Sequence, residues 1–182
     1  MREKEIIFYG MRLKNFIPAA FIIIAVAAIF GCSSTRNIKA DPPLDAAAVK
    51  RLVELQNFVF TASYVNPMSG RRRYLTPGYE MSVSKDTIIS YLPFFGRGYT
   101  APVSPSDIDF DFTSTNFTSA VTPSGRGWNI SIKPKDKMYI QELYFKIFDN
   151  ASGSLTITSM DRSAISYDGY ISERKPGAKA KR

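Results

Sequence analysis

From Phe58 onward, apolar side chains recur at every second position in short runs, and each run ends in turn residues. Phe58, Phe60, Ala62 and Tyr64 alternate before a turn expected at Asn66-Pro67. Tyr79, Met81 and Val83 alternate before Lys85-Asp86, and residues 87–92 follow at once as a hairpin partner. Ile108, Phe110 and Phe112 form the next run. Trp128, Ile130 and Ile132 lead into Lys133-Pro134-Lys135-Asp136, and Leu143, Phe145 and Ile147 into residues 149–153. Leu155 and Ile157 come next, then Ile165 and Tyr167 before a turn expected at Asp168-Gly169 and a last short strand at Tyr170-Ile171. A period of two marks half-buried strands. The connections are too short for the helical crossovers that parallel strands need, so the sheet is expected to be antiparallel. The fold class is therefore mainly β: one antiparallel β-meander domain of about eight or nine short strands, closed as a barrel or folded as a sandwich.

One helix is expected ahead of the strands. Asp45 can cap residues 46–56, where Val49, Leu52, Val53 and Gln56 recur at three- and four-residue spacing while Lys50, Arg51 and Glu54 face away. Such a short amphipathic helix reads as a lid packed on the sheet. The β domain then occupies residues 44–173, a size within the usual domain range.

The first 31 residues have a different character. Arg12 and Lys14 precede an apolar run over residues 16–30, which small residues and Cys32 follow. The run is shorter than the roughly 20 apolar residues that cross a bilayer, so it reads as a cleaved signal rather than a membrane span. Ile29-Phe30-Gly31-Cys32 resembles a lipobox, although Phe30 is bulky for its place. By that resemblance the Cys32 thiol receives a diacylglyceryl group, cleavage follows Gly31, and the new amino group is acylated. Two or three acyl chains hold a protein stably where one does so marginally. Met11, just before Arg12, is an alternative start to Met1. Residues 33–43 are small, polar and proline-ended, which suits a flexible tether.

Composition closes several chemical routes. The chain has no histidine and one cysteine, so Ser-His-Asp and Cys-His arrangements and the usual zinc sites are excluded. With Cys32 committed to lipid, no thiol remains for disulfides, metals or nucleophilic attack. No cofactor, metal site or catalytic residue is expected. Carboxylate chemistry stays open, because glycoside cleavage needs only two carboxylates.

The formal net charge is +8. Removing the leader takes away four basic side chains (Arg2, Lys4, Arg12, Lys14) and two acidic ones (Glu3, Glu5), which lowers +8 to +6. Much of the excess lies in Arg71-Arg72-Arg73 and in residues 174–182, a run without apolar anchors that reads as a solvated, disordered tail. An exported protein rarely meets nucleic acid, which is not expected as a partner. Phospholipid or lipopolysaccharide head groups and acidic glycans are the anionic neighbours, to which the tail could add weak adhesion.

The densest anomaly is Tyr91-Leu92-Pro93-Phe94-Phe95-Gly96-Arg97-Gly98-Tyr99. Phe94 and Phe95 point to opposite faces if extended. Gly96 and Gly98 permit a bend or a close approach, and the planar fork of Arg97 suits a carboxylate or a phosphate. The plainer reading is a strand corner whose arginine pairs with a carboxylate of the same domain. The functional reading is a pocket lined by Tyr91, Phe95, Tyr99 and Trp128, with Arg97 at its mouth and Phe94 beside it. Asp107, Asp109 and Asp111 share a strand face but lack the glycine turn and distal glutamate of a calcium loop. They read as a solvated face that discourages edge pairing.

This segment, with Pro67-Met68, Gly70-Arg71, Leu75-Thr76, Tyr79, Asp86 and Ile165-Ser166-Tyr167, resembles the Bacteroidetes envelope lipoproteins grouped as domain of unknown function 4251. The resemblance spans about residues 50–172. It implies an outer-membrane or periplasmic setting and supplies no activity. In that setting Asp86-Thr87-Ile88 resembles the O-glycosylation pattern of the phylum, with Thr87 as acceptor. The sequons at Asn116, Asn129 and Asn150 belong to a eukaryotic secretory context, which the lipobox argues against. Ser33 after the cysteine resembles the outer-membrane sorting pattern, and Ser34-Thr35-Arg36-Asn37 lacks the acidic run that resembles a surface-export tag. The expectation is a lipid-anchored outer-membrane protein facing the periplasm, with the cell surface as the other face. Its β domain is expected to be a non-enzymatic binding or scaffolding module for a glycan, lipid or envelope protein. A carboxylate-based glycan hydrolase and a structural subunit of an envelope assembly are the alternatives.

Overall fold

The computed structural model describes residues 44–99 and 109–174. Cys32, the leader and tether, Asp107 and Ile108, and the basic tail beyond Arg174 lie outside the described residues.

The helix forms as its cap dictates. Asp45 is extended and its Oδ1 accepts from the Ala48 N–H at 2.6 Å, which starts α1 (Ala46–Glu54). Val49, Leu52 and Val53 are buried along one face. The helix is two residues shorter than expected, because Gln56 adopts φ 48° and the chain turns. Gln56 N–H then donates to Val53 O at 3.1 Å and Asn57 N–H to Leu52 O at 3.0 Å, satisfying carbonyls of the last turn.

Among the described residues, ten strands form one sheet. They are β1 (Phe58–Pro67), β2 (Arg73–Tyr74), β3 (Glu80–Val83), β4 (Ile88–Leu92), β5 (Phe110–Ser114), β6 (Phe117–Pro123), β7 (Gly127–Pro134), β8 (Ile140–Phe148), β9 (Ser152–Ser159) and β10 (Ile165–Glu173). The path runs β5-β4-β3-β1-β10-β9-β8-β7-β6, with β2 attached to β1. Every pairing is antiparallel. Three steps lead from β1 to β5 and five from β1 to β6, so β5 and β6 run in the same direction.

These two strands are the opposite ends of the path, yet Thr115 and Asn116 alone separate them. Two residues reach only about 7 Å, so the sheet rolls until its first and last strands meet. The product is a nearly closed barrel, in which β5 and β6 are halves of one long segment that pairs with β4 through its first half and with β7 through its second.

The register shows the tilt that closure requires. Ser114 is level with Ile88, Val83, Phe58 and Glu173, at one end of β1. Phe117 pairs with Pro134, and nearby Ile132 is level with Leu143, Ile157, Ile165 and Pro67, at the other end. Asp136 secures the junction: its carboxylate accepts from Ser114 Oγ at 2.5 Å and from Thr115 N–H at 2.9 Å.

The inward faces fill the barrel. Phe58, Phe60, Met81, Val83, Ile88, Leu92, Phe110, Ile130, Ile132, Leu143, Phe145, Ile147, Leu155, Ile157 and Tyr167 are almost wholly buried. Phe145 of β8 meets Phe58 edge-on at 5.6 Å and Phe60 at 5.8 Å across the interior. Such contacts add about 0.5–1.5 kcal/mol each beyond area burial. At the Phe58 end, α1 joins the same core, with Arg51 paired to Glu173 at 3.0 Å and Gln56 Oε1 accepting from Ser119 Oγ at 2.9 Å.

Four expectations are corrected. Tyr64 points outward, because a bulge between Ala62 and Tyr64 shifts the phase and sends Val65 inward; the bulge carbonyl of Ser63 accepts from Leu75 N–H at 2.9 Å. Asn66-Pro67 ends β1 rather than forming a turn. Asp168-Gly169 is also no turn: β10 is continuous, and Gly169 sits where an added Cβ would lie 2.0 Å from Thr61 O. β6 and β2 were not anticipated, since most of their side chains are exposed and show no apolar alternation.

Candidate functional site

The segment after β4 is pinned to the barrel end that carries Pro67 and Ile165. Pro93 is buried and its carbonyl accepts from Tyr167 Oη at 2.9 Å. Phe94 N–H donates to Asp109 Oδ1 at 3.0 Å, and the Phe94 ring stands edge-on to Phe110 at 5.6 Å. The Arg162 guanidinium, 9% exposed as a residue, lies 5.1 Å from the Phe94 centroid and 5.0 Å from that of Phe110. Its Nε and Nη2 reach Asp161 Oδ2 at 3.1 and 2.7 Å. Asp161 Oδ1 is buried without a hydrogen bond among the described residues.

Residues 96–99 then run as a strap along residues 161–163. Arg97 N–H donates to Ser163 Oγ at 3.2 Å, Ser163 N–H to Arg97 O at 2.9 Å, and Tyr99 N–H to Asp161 O at 2.7 Å. Gly98 bridges to Arg162. A Cβ at Gly96 would lie 2.5 Å from Phe94 Cζ and 2.6 Å from Ser163 Oγ, so that position tolerates no side chain without movement. The backbone of Arg97 is thus fixed from both sides while its side chain is exposed, and no described carboxylate pairs with it. The plainer sequence reading, an arginine consumed by a carboxylate of its own domain, is not what the described residues show.

Of the other candidates, Phe94, Phe95 and Tyr99 share this segment with Arg97, while Tyr91 and Trp128 lie on strands. Phe95 is half-buried with the Arg73 guanidinium 5.1 Å from its centroid. Tyr99 is 66% exposed. Tyr91 lies on the outer face of β4, stacked on Tyr79 at 5.5 Å. Trp128 stands apart, opposite Pro123 and Ile147 and packed on the core. The described residues thus place Tyr91 on the outer face of β4 and Trp128 on β7, apart from the segment that carries Phe95 and Tyr99. What the strap does join is a rim. Met68, Met138 and Met160 are exposed on the other loops of this end, and Met160 N–H donates to Tyr139 O at 2.9 Å, linking two of those loops. Arg72 adds a guanidinium 3.9 Å from the Tyr64 centroid and an ion pair with Asp168 at 3.0 Å.

Two further sequence candidates have structural duties. Asp109 caps the Phe94 amide, and Asp111 is exposed opposite Tyr91; no group of metal-ligating residues forms among the described residues. Thr87 closes the tight turn from Ser84, whose hydroxyl lies 2.8 Å from both Asp86 Oδ1 and Thr87 O. The Ser84 hydrogen bond holds the Asp86 carboxyl below the usual range. Sequence reasoning passed over Arg162, because Met160-Asp161-Arg162-Ser163 reads as an ordinary polar loop and nothing local pairs it with Phe94.

A nearly closed antiparallel barrel with one packed helix and a cationic, methionine-bearing rim defines the class. Residues 44–171 match the family model described as domain of unknown function (DUF4251), and the chain belongs to that family. The crystal structure of a DUF4251 family protein from Bacteroides eggerthii DSM 20697 is similar in fold, at 16% identity and a TM-score of 0.51, over 71% of this chain and 85% of that one. No curated protein matches the chain.

Proposed function

We propose that this protein is a lipid-anchored envelope protein whose barrel is a non-enzymatic binding or scaffolding module, engaging its partner at the rim around Arg97. The observation that carries the binding site is the exposed Arg97 guanidinium on a strap fixed by Ser163 and Asp161. A preorganised fork of five donors suits a carboxylate or phosphate, and fixing its backbone beforehand lowers the entropy lost on binding. The exposed methionines alongside supply adaptable apolar contact. An acidic glycan, a lipid head group or an acidic surface of an envelope protein all present the required anion.

The anchor rests on the resemblance of residues 29–32 to a lipobox, with periplasm-facing outer-membrane attachment as the setting and Thr87 as a candidate glycan acceptor. The hydrolase alternative gains no support from the two carboxyls whose proton affinity is perturbed. Hydrogen bonds from Ser84 and Ser114 lower the pKa of Asp86 and Asp136 respectively, whereas a general acid needs its pKa raised.

The test is affinity capture of the full chain from membranes, followed by mass spectrometry of proteins and lipids, for wild type, Arg97→Ala and Cys32→Ser. One partner recovered with wild type and lost with Arg97→Ala supports the rim, and loss of membrane attachment in Cys32→Ser supports the anchor. Identical recovery with Arg97→Ala ends the rim reading.

A further inference from the structure

The apolar side chains that the barrel exposes most are gathered at the rim. Met68, Tyr74, Tyr99, Met138 and Met160 are each more than half exposed, and no other large apolar side chain among the described residues is. Contacts between the loops make them neighbours. Met160 N–H reaches Tyr139 O, next to Met138, and Tyr99 N–H reaches Asp161 O, next to Met160. The Arg73 guanidinium, beside Tyr74, lies over Phe95, two residues before Arg97. Met68 follows Pro67, which pairs with Ile165. Apolar residues exposed singly need no explanation, whereas a grouped patch marks an interaction site.

Positive charge collects in the same place. Arg71, Arg73 and Arg97 are exposed, and no described carboxylate pairs with them. Four carboxylates of this end are already engaged: Asp168 by Arg72, Asp161 by Arg162, Asp109 by the Phe94 amide, and Asp136 by Ser114 and Thr115. At the helix end, by contrast, Lys50, Arg51 and Arg126 are each ion-paired.

We infer that the rim docks on an anionic phospholipid bilayer, with Arg71, Arg73 and Arg97 at the lipid phosphates and the exposed methionines and tyrosines in the head-group layer. This rests on the rim reading above and names its partner. An arginine fork matches a phosphate. A soluble acidic glycan would satisfy the guanidiniums and leave the methionines in water. A bilayer serves both, because unbranched thioethers adapt to disordered chains and tyrosine suits a surface that is apolar on one side and wet on the other. Each cation near such a surface strengthens attachment about fivefold, and salt weakens it.

The test uses the full chain from membranes, reconstituted in vesicles. Cys32 is the sole cysteine, so with its thiol lipidated an added cysteine takes a thiol-reactive, polarity-sensitive fluorophore alone. On phosphatidylcholine vesicles containing phosphatidylglycerol, the probe on Met138→Cys is expected to shift to the blue and to be quenched by brominated lipid. Pure phosphatidylcholine or high salt should abolish both effects. Ser124→Cys, in the turn at the opposite end, should show neither. Arg71→Gln with Arg97→Gln should lower the docked-to-free ratio at least about tenfold at unchanged circular dichroism. An unshifted Met138→Cys probe on the anionic vesicles, or a shift that survives loss of both arginines, overturns the inference. A shift produced by soluble polygalacturonate and by no vesicle overturns the lipid as partner and leaves Arg97 an anion site. Wild type that takes up label refutes the anchor instead, and the rim is then read from the signal that Met138→Cys adds.

Discussion

The Tyr167 hydroxyl of β10 donates to the carbonyl of Pro93 at 2.9 Å, across 74 residues of chain, and both groups are buried. This bond ties the strap that carries Arg97 to the far side of the barrel's core. Burial, reinforced by the nearby Asp109 charge, pushes the Tyr167 phenol well above the usual tyrosine range, so it remains a donor at every working pH.

Tyr167→Phe leaves the Pro93 carbonyl buried without its donor. The expected cost is about 1–3 kcal/mol, read as a lower urea midpoint at unchanged slope. An unchanged midpoint would mean that water or another donor replaces the phenol.

Arg162→Lys keeps the charge but loses the planar face set against Phe94 and Phe110. A loss on the order of 2 kcal/mol is expected. Amide exchange at Arg97 and Tyr99 should accelerate with it, since their partners are Ser163 and Asp161. Slow exchange retained at both amides would show that the strap does not depend on the stacked guanidinium.

Gly169→Ala drives a Cβ against Thr61 O inside β10. We expect a loss of about 3 kcal/mol or more, or failure to fold. Gly125→Ala, in an open turn at φ +59° with nothing near the new atom, should cost about 1–2 kcal/mol through backbone strain alone. Equal costs at the two sites would refute the close-approach account of Gly169.

Asp136 receives hydrogen bonds from Ser114 and Thr115, and the Ser114 bond is the largest cause of a pKa below the ordinary 3.8. A carboxyl depressed in the folded state stabilises it above the unfolded pKa, and that stabilisation is lost as pH falls through the folded value. Wild type should therefore exceed Asp136→Asn in stability near neutrality, with the gap narrowing as pH drops below 3.8. A gap that stays constant from pH 7 to pH 2 would remove the ionised carboxylate from the account of the β5–β6 junction.

Much of this was legible in the chain. The alternation of Met81 and Val83, of Leu143, Phe145 and Ile147, and of Leu155 and Ile157 gave strands with those residues inward, and Asp45 gave the helix cap. Where the reading slipped, a non-local contact outweighed a local signal. Tyr64 turned outward because a bulge opposite Gly169 changed the phase, and Asp168-Gly169 stayed extended because that glycine admits the neighbouring carbonyl. β6 escaped notice because an edge strand with one exposed face needs no apolar alternation. In the candidate site, Arg97 and Tyr99 do lie on one strap, with Phe94 and Phe95 leading into it, as their adjacency required. Trp128 was joined to them by residue type alone, and the register places it elsewhere.

Sequence by itself determined the class of this protein: antiparallel strands, one capped helix and a core drawn from alternating positions. Those features follow from the two-residue period of a strand and the capping chemistry of a helix, which act over a few neighbouring residues. Tertiary structure decided the closure of the barrel at Thr115-Asn116 and the meeting of Arg162 with Phe94 and Phe110. Each depends on how far the strands are staggered around the barrel. That stagger is set by the summed register of all the pairings and by side chains meeting across the interior, and no single stretch of sequence encodes it.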